Sequence, residues 1–289
     1  IRKRVLKYTI KNNGGYLSQA CSSAEILATL YVYLMNLGEV TKPIIPPPFP
    51  GVPSTENKNY FRGTIYHGGI QKDKDRFILS PTHYSLALYA CLIETGRLDE
   101  KGLEFFNKDG SSVEMIGAEH SPGMEVMTGS LGQGISQAAG IALGKKLKKE
   151  NGTVWLLMSD GEFQIGQVWE AIQFMSYYKL DNMKIIIDVN KHQCDGKVEN
   201  VMNIEPLDKR LEAFGAAVFK VYGHNINEIA NRAETTIKNK PLFIIAETNP
   251  WQGIEILKKN LPKLHFIRFK SEEEKMEYEE ILKKLETNR

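Results

Sequence analysis

Cysteine is scarce in this chain of 289 residues: Cys21, Cys91 and Cys194 are odd in number and widely spaced, which excludes a disulfide framework and a paired-cysteine metal site. Long hydrophobic runs are missing too. No apolar stretch approaches the roughly 18 residues of a membrane helix, so no spanning segment is expected. Nor does one sign of charge dominate. With 37 basic and 35 acidic residues the formal net charge is +2, which gives no electrostatic basis for binding nucleic acid or a membrane surface. The opening IRKRVLKYTI is basic but has neither the apolar core nor the cleavage site of a signal peptide. The expectation is a reduced, cytoplasmic protein without internal repeats or low-complexity tracts. What is present, 42% hydrophobic and 25% charged residues, allows one large α/β domain or two small ones.

Along the chain, a first helix is expected from Arg2 to Lys11, closed by Asn12-Asn13-Gly14-Gly15. Ser22-x-x-Glu25 reads as a capping box that starts a second helix ahead of Ile26, Leu27, Leu30, Tyr31 and Leu34. The Pro- and Gly-rich stretch from Thr41 to Gly69 excludes regular helix and is long for a loop, which favours a subunit contact over a lid. Next come a short strand in Asp75 to His83 and a helix from Tyr84 to Thr95. Thr128-Gly129-Ser130-Leu131-Gly132-Gln133-Gly134 then opens a small-residue helix over Ile135 to Lys149. Glycines just ahead of a helix N-terminus let a diphosphate or a ring lie against backbone N–H groups. Further on, a helix near Leu207 to Phe214, the strand AAVFKV, a helix near Ile226 to Lys238 and the strand PLFIIAET are expected. The tail from Ser271 is a charged surface helix.

The most informative stretch runs from Trp155 to Gly196. Two short apolar runs, ending in Ser159-Asp160-Gly161 and in Asn190, bracket an amphipathic helix. That is a βαβ crossover, so the strands are parallel and their C-terminal ends adjoin. Open α/β sheets bind ligands at that edge. Asp160 and Asn190 arrive there together, and Gly161 lets a backbone approach closely. A carboxylate and a carboxamide make a hard, oxygen-only set suited to Mg²⁺ or Ca²⁺ holding phosphate oxygens. An SDG alone after a strand is an ordinary turn; joined to Asn190 and to GSLGQG before a helix, it reads as a site.

These residues resemble the metal-diphosphate motif of thiamine diphosphate enzymes, and GEFQIGQVWEA with LDNMKIIIDVNKHQCDG resembles the transketolase family specifically. DRFILSPTHYSLALYACLIETG and PGMEVMTGSLGQGISQAAGIALGKK are similar to two further transketolase regions, in order and with near-correct spacing. The resemblance implies an α/β thiamine diphosphate-binding fold over residues 1–270, with a mostly parallel central sheet flanked by helices on both faces. The charged helix 271–289 follows it. Asp160, Asn190 and the backbone carbonyl of His192 are the implied metal ligands, for Mg²⁺ or Ca²⁺. Gly129, Ser130, Leu131 and Gly132, with Gly161 and Glu162, are implied on the cofactor. His83, in SPTH, matches a catalytic, cofactor-side histidine. LHFIRFKSEEE is similar to a later segment that makes His265 a second one, although Leu264 and Phe266 equally suit a structural histidine.

Departures narrow the implied function. Tyr16 stands where the family has a histidine that contacts the sugar donor's hydroxyls, and a phenol does not titrate near neutrality. Ser159 replaces a glycine, and Ile165 replaces a glutamate that links paired sites. Whether His120 matches another substrate histidine is open. The family's second α/β domain, which carries the pyrimidine-binding site, has no counterpart in this sequence. The resemblance therefore implies the N-terminal subunit of a split transketolase, one that forms a heterotetramer with a C-terminal partner subunit. Without that partner it would be inactive. It would move a two-carbon ketol unit from a ketose, phosphorylated or otherwise modified, to an aldose. Two alternatives stand beside it: the α subunit of a 2-oxo acid dehydrogenase E1, and a non-catalytic scaffold subunit.

Overall fold

A computed structural model describes residues 1–287. In chain order, helix α1 (Arg2–Lys11) leads through the short strand β1 (Gly14–Gly15) into α2 (Leu17–Thr29). Strand β2 (Arg76–Leu79), α3 (Ser85–Glu94) and α4 (Gly134–Leu147) follow, then β3 (Val154–Ser159), α5 (Gly166–Tyr177) and β4 (Met183–Val189). A small hairpin, β5 (His192–Gln193) and β6 (Gly196–Lys197), precedes α6 (Val198–Val201), α7 (Leu207–Ala213), β7 (Ala217–Tyr222), α8 (Ile226–Ala233) and β8 (Leu242–Glu247). The chain closes with β9 (Ile267–Arg268) and α9 (Glu272–Thr287).

The central sheet has the order β2-β3-β4-β8-β7 and every pairing in it is parallel. Strand residues alternate between two cores, as the period of two demands. Trp155, Leu157, Ile186, Leu242 and Ile244 face the core shared with α1, α2, α3 and α8. Val154, Leu156, Met158, Ile185, Ile187 and Phe243 face α4, α5 and α7. Each such fully buried side chain contributes roughly 1.5–3 kcal/mol. The expected layers, helices on both faces of a parallel sheet, are present. Progress from β2 to β4 in one direction and return through β7 and β8 reverses the strand order beside β4, where α/β sheets hold their ligands.

Two local expectations are corrected. α2 begins at Leu17, not after Ser22. Ser22 is fully buried mid-helix and donates to Asp188 Oδ2 at 2.5 Å, while Ser23 donates back to the Gln19 carbonyl at 2.6 Å. Serine hydroxyls that bond within the helix mimic a cap in sequence. Glu25 instead pairs with Arg2 and His224. α8 ends at Ala233, short of Lys238.

The Pro-rich stretch crosses the surface as irregular chain, held by bridges of Ile44 to Leu98 and Pro48 to Ser111, and ends in a buried 3₁₀ turn at Gly63–His67. The tail helix is charged and superficial, as expected, yet Tyr278 inserts into the core beside α1. Residues 288–289 of that expected helix lie outside the described residues. Among the described residues no helix is long and apolar enough to cross a membrane.

Candidate functional site

Register places Ser159 opposite Asp188, so the segments leaving β3 and β4 emerge side by side. Asp160 is buried there. Its Oδ1 accepts from the Gly161 N–H at 2.8 Å and its Oδ2 from the Lys191 N–H at 2.7 Å. These partners are backbone amides rather than a side-chain cation. Burial, reinforced by the neighbouring Asp188 charge, pushes the Asp160 carboxyl up to about 8. Asn190 accepts from the His192 N–H at 3.0 Å and donates to the Tyr84 hydroxyl at 3.3 Å. Asp188 points to the opposite core, where Ser22, Tyr84 and Thr248 donate to it; burial raises its pKa as well.

Glu162 organises the ground around this edge. Its buried carboxylate accepts from the Ser80 hydroxyl, from the Gly132 N–H at 3.1 Å and from the Ser159 N–H at 2.9 Å. One side chain thus joins the turn after β2, the GSLG loop and the end of β3. Burial pushes its pKa up against those donors. Gly132 has a φ of +81°, and an added Cβ would meet Ile165 at 3.0 Å, so the loop packs on the Ile165 side chain.

A second group of side chains comes from distant segments. Tyr16 occupies the position ahead of the first turn of α2, His83 sits in a single 3₁₀ turn after β2, and β1 pairs antiparallel with β9 to bring in His265. The Tyr16 ring lies 5.2 Å from His83, 5.4 Å from His265 and 5.0 Å from Phe266 between centroids. His83 and His265 are 4.8 Å apart. Burial and the adjacent His265 push His83 down to about 3; burial lowers His265 too, against the pull of Asp195. Both imidazoles are neutral at neutral pH. Burial raises the Tyr16 phenol.

The two groups face a cavity of about 250 Å³ lined by His83, His265, Asp160, Gly161, Asn190, His192 and Leu131 among others. A larger cleft of about 840 Å³ shares Asp160, Asn190 and His192 and continues past Lys191, Lys197 and Trp251. The smaller cavity is the one on which His83 and His265 meet Asp160 and Asn190.

Of the residues read from sequence, Asp160, Gly161, Asn190, His192, His83, His265 and Leu131 are brought together on one cavity, with the Tyr16 ring against the two histidines. Gly129 and Ser130 lie exposed in their loop, and Gly132 and Glu162 are buried beneath it. Glu162 therefore shapes the site through the backbone it holds. His120 lies apart from this cavity, stacked 4.7 Å from Phe49 and 3.2 Å from Glu114. Sequence reading missed Gln19, Gln164, Gln193 and Cys194 on the cavity wall. For Gln19 a signal existed: Tyr16, Gln19 and Ser22 recur every third residue, a polar stripe along one side of α2.

Among the described residues no three His, Cys, Asp or Glu side chains gather as a metal cluster. The oxygens available are one carboxylate, one carboxamide and nearby backbone carbonyls, a hard set.

Comparison with known proteins identifies the family. Residues 69–255 match the family described as "Transketolase, thiamine diphosphate binding domain". A "Putative uncharacterized transketolase family protein y4mO" from Sinorhizobium fredii is 34% identical over 94% of this chain and 89% of its own length. A "6-deoxy-6-sulfo-D-fructose transketolase subunit SqwG" from a Clostridium species is 32% identical over 88% of this chain and 83% of its own length. A solved transketolase from Campylobacter jejuni superposes with a TM-score of 0.67 at 22% identity, covering 99% of this chain and 47% of that one. The chain thus spans about half the length of that enzyme. With the sequence matched over most of its length and the fold over nearly all of it, the chain belongs to the transketolase family, of which it carries the thiamine diphosphate-binding domain.

Proposed function

We propose that this chain is the diphosphate-binding subunit of a two-subunit transketolase that moves a two-carbon ketol unit from a ketose to an aldose in the cytoplasm. The observation that carries the reading is the meeting of Asp160 and Asn190 on the same cavity as the His83–His265 pair. A relative's name supports division into subunits: the chain is 32% identical to a protein named as a transketolase subunit. A pyrimidine-binding domain would come from a second subunit, in a heterotetramer, with the Pro-rich segment 42–53 as a docking surface.

The residues fit a divalent cation with thiamine diphosphate. Asp160 is a buried carboxylate without a side-chain cation on its hydrogen-bonded oxygens, and a divalent ion would offset the cost of its charge. At Gly161 an added Cβ would meet only Gln193, at 3.8 Å, which leaves backbone open to the cavity. Asp160, Asn190 and the His192 carbonyl would hold Mg²⁺ or Ca²⁺, with Gly129 to Gly132 along the diphosphate. When bound, thiamine diphosphate supplies the electron sink that lets the bond beside a ketose carbonyl break. His83 and His265, both neutral, hydrogen-bond the substrate oxygens on which charge develops. Tyr16 offers its phenol to a donor hydroxyl and sets donor choice.

The test is reconstitution. The purified chain should show little ketol transfer, and a second subunit resembling the C-terminal half of transketolase should restore it. Full transfer by the chain alone would overturn the split reading; 2-oxo acid decarboxylation by the pair would overturn the reaction.

A further inference from the structure

Gln19 is a buried amide in a helix whose neighbours along the same side, Tyr16 and Ser22, both serve the region of the cavity. Its Nε2 lies 2.9 Å from the His265 carbonyl oxygen and 3.3 Å from His265 Nδ1. A carbonyl oxygen only accepts, so the nitrogen end of the carboxamide must face His265. That nitrogen has two hydrogens: one meets the carbonyl and the other meets Nδ1. A donor opposite Nδ1 makes Nδ1 the acceptor, and the ring proton then resides on Nε2. The backbone of the same loop is fixed from the neighbouring residue, because the Ser18 hydroxyl donates to the Leu264 carbonyl at 2.6 Å. Two successive carbonyls of the His265 segment are thus tied to two successive residues of α2, 246 positions away.

We infer that Gln19 is a positioning residue that holds His265 as its neutral Nε2–H tautomer, presenting a hydrogen-bond donor to substrate in the cavity. This rests on the proposed role of His265 toward substrate oxygens. Without Gln19 the ring samples both tautomers and is free to rotate about its side-chain bonds. An Nδ1–H ring would meet substrate with a lone pair where a donor is required. Oxygens that gain charge during bond cleavage are stabilised by donors and repelled by lone pairs. The doubly protonated ring is disfavoured for the same reason, since its Nδ1–H would face the amide hydrogen of Gln19.

The chain contains six histidines, few enough for direct observation. Histidine labelled with ¹⁵N and ¹³C would be introduced into this chain alone, assembled with unlabelled partner. Long-range nitrogen–proton correlation then identifies the tautomer, with His265→Gln marking the signal by its loss. The wild-type ring should be predominantly Nε2–H. Gln19→Met should give a mixture of tautomers, and Gln19→Glu, whose carboxylate accepts from Nδ1–H, should favour the opposite form. Loss of one oriented donor should lower kcat about tenfold in Gln19→Met, with donor KM and thiamine diphosphate affinity near wild type. An Nδ1–H wild-type ring, or a Gln19→Met spectrum unchanged from wild type, would overturn the inference. A Gln19→Met enzyme that loses kcat and cofactor affinity together would also overturn it, since that is the signature of a merely structural role. Failure of the assembled wild type to transfer ketol units overturns the proposed function instead, while the spectrum still reports whether Gln19 sets the tautomer.

Discussion

The two ends of the cavity are built differently. Around Asp160 and Glu162 the side chains are tied to backbone amides and hydroxyls of adjoining strand ends, and three of the four contributing segments leave neighbouring parallel strands. Around His83 and His265 the contacts are aromatic edges and a single carboxamide, drawn from the first and last parts of the chain. The first end is a scaffold in which each hydrogen bond depends on the strand register. The second is a set of side-chain contacts in which Tyr16 and Gln19 can change without disturbing the sheet. On the proposed function, anchoring of a cofactor and choice of a sugar would thereby be separable.

The largest expected break of that contrast is at the anchoring end. Asp160→Ala should weaken cation-dependent thiamine diphosphate binding by at least about a hundredfold, and Asn190→Ala by about tenfold, because only the first removes a charge. Calorimetry on the assembled enzyme checks this; wild-type affinity in Asp160→Ala would sink the assignment. Glu162→Gln sets an amide nitrogen against donors from Ser80, Gly132 or Ser159 and should cost roughly 2–3 kcal/mol. Denaturant unfolding measures it, and a change under about 0.5 kcal/mol would show that the carboxylate is not the organiser described.

At the lining end the effects are smaller. His83 is held near 3 in the folded chain, against about 6.5 when unfolded, so the unfolded chain takes up its proton first as pH falls. Its stabilising contribution is full above about 6.5 and is lost progressively as pH drops toward 3. Because the ring lines an open cavity that Asp160 also lines, beside His265 and Tyr16, the loss should be about 1–2 kcal/mol. His83→Asn should flatten the pH dependence of Tm over that range, and an unaltered slope would refute the assignment. Tyr16→His should leave Tm nearly unchanged and shift by about tenfold the ratio of kcat/KM between a standard ketose phosphate and the native donor. An invariant ratio across a panel of donors would move specificity to the partner subunit.

The sequence by itself determined the layers and the anchoring end. The βαβ unit from Trp155 to Gly196 places Asp160 and Asn190 by local chain order alone, since a right-handed parallel crossover leaves both strand ends at one edge. Apolar strand runs and glycine-bounded helices were legible for the same reason: they follow from near-neighbour periodicity. The start of α2 was misplaced because Ser22 and Ser23 bond back to the Gln19 carbonyl inside the helix and imitate a cap. Glu162 could be named but not its work, for its partners Ser80 and Gly132 lie 82 and 30 residues away. Only the tertiary structure stacked Tyr16 on His83 and His265, and only it put Gln19 against a ring 246 residues distant. No local spacing encodes those contacts. They arise when β1 pairs with β9 and carries the last part of the chain across the first turn of α2.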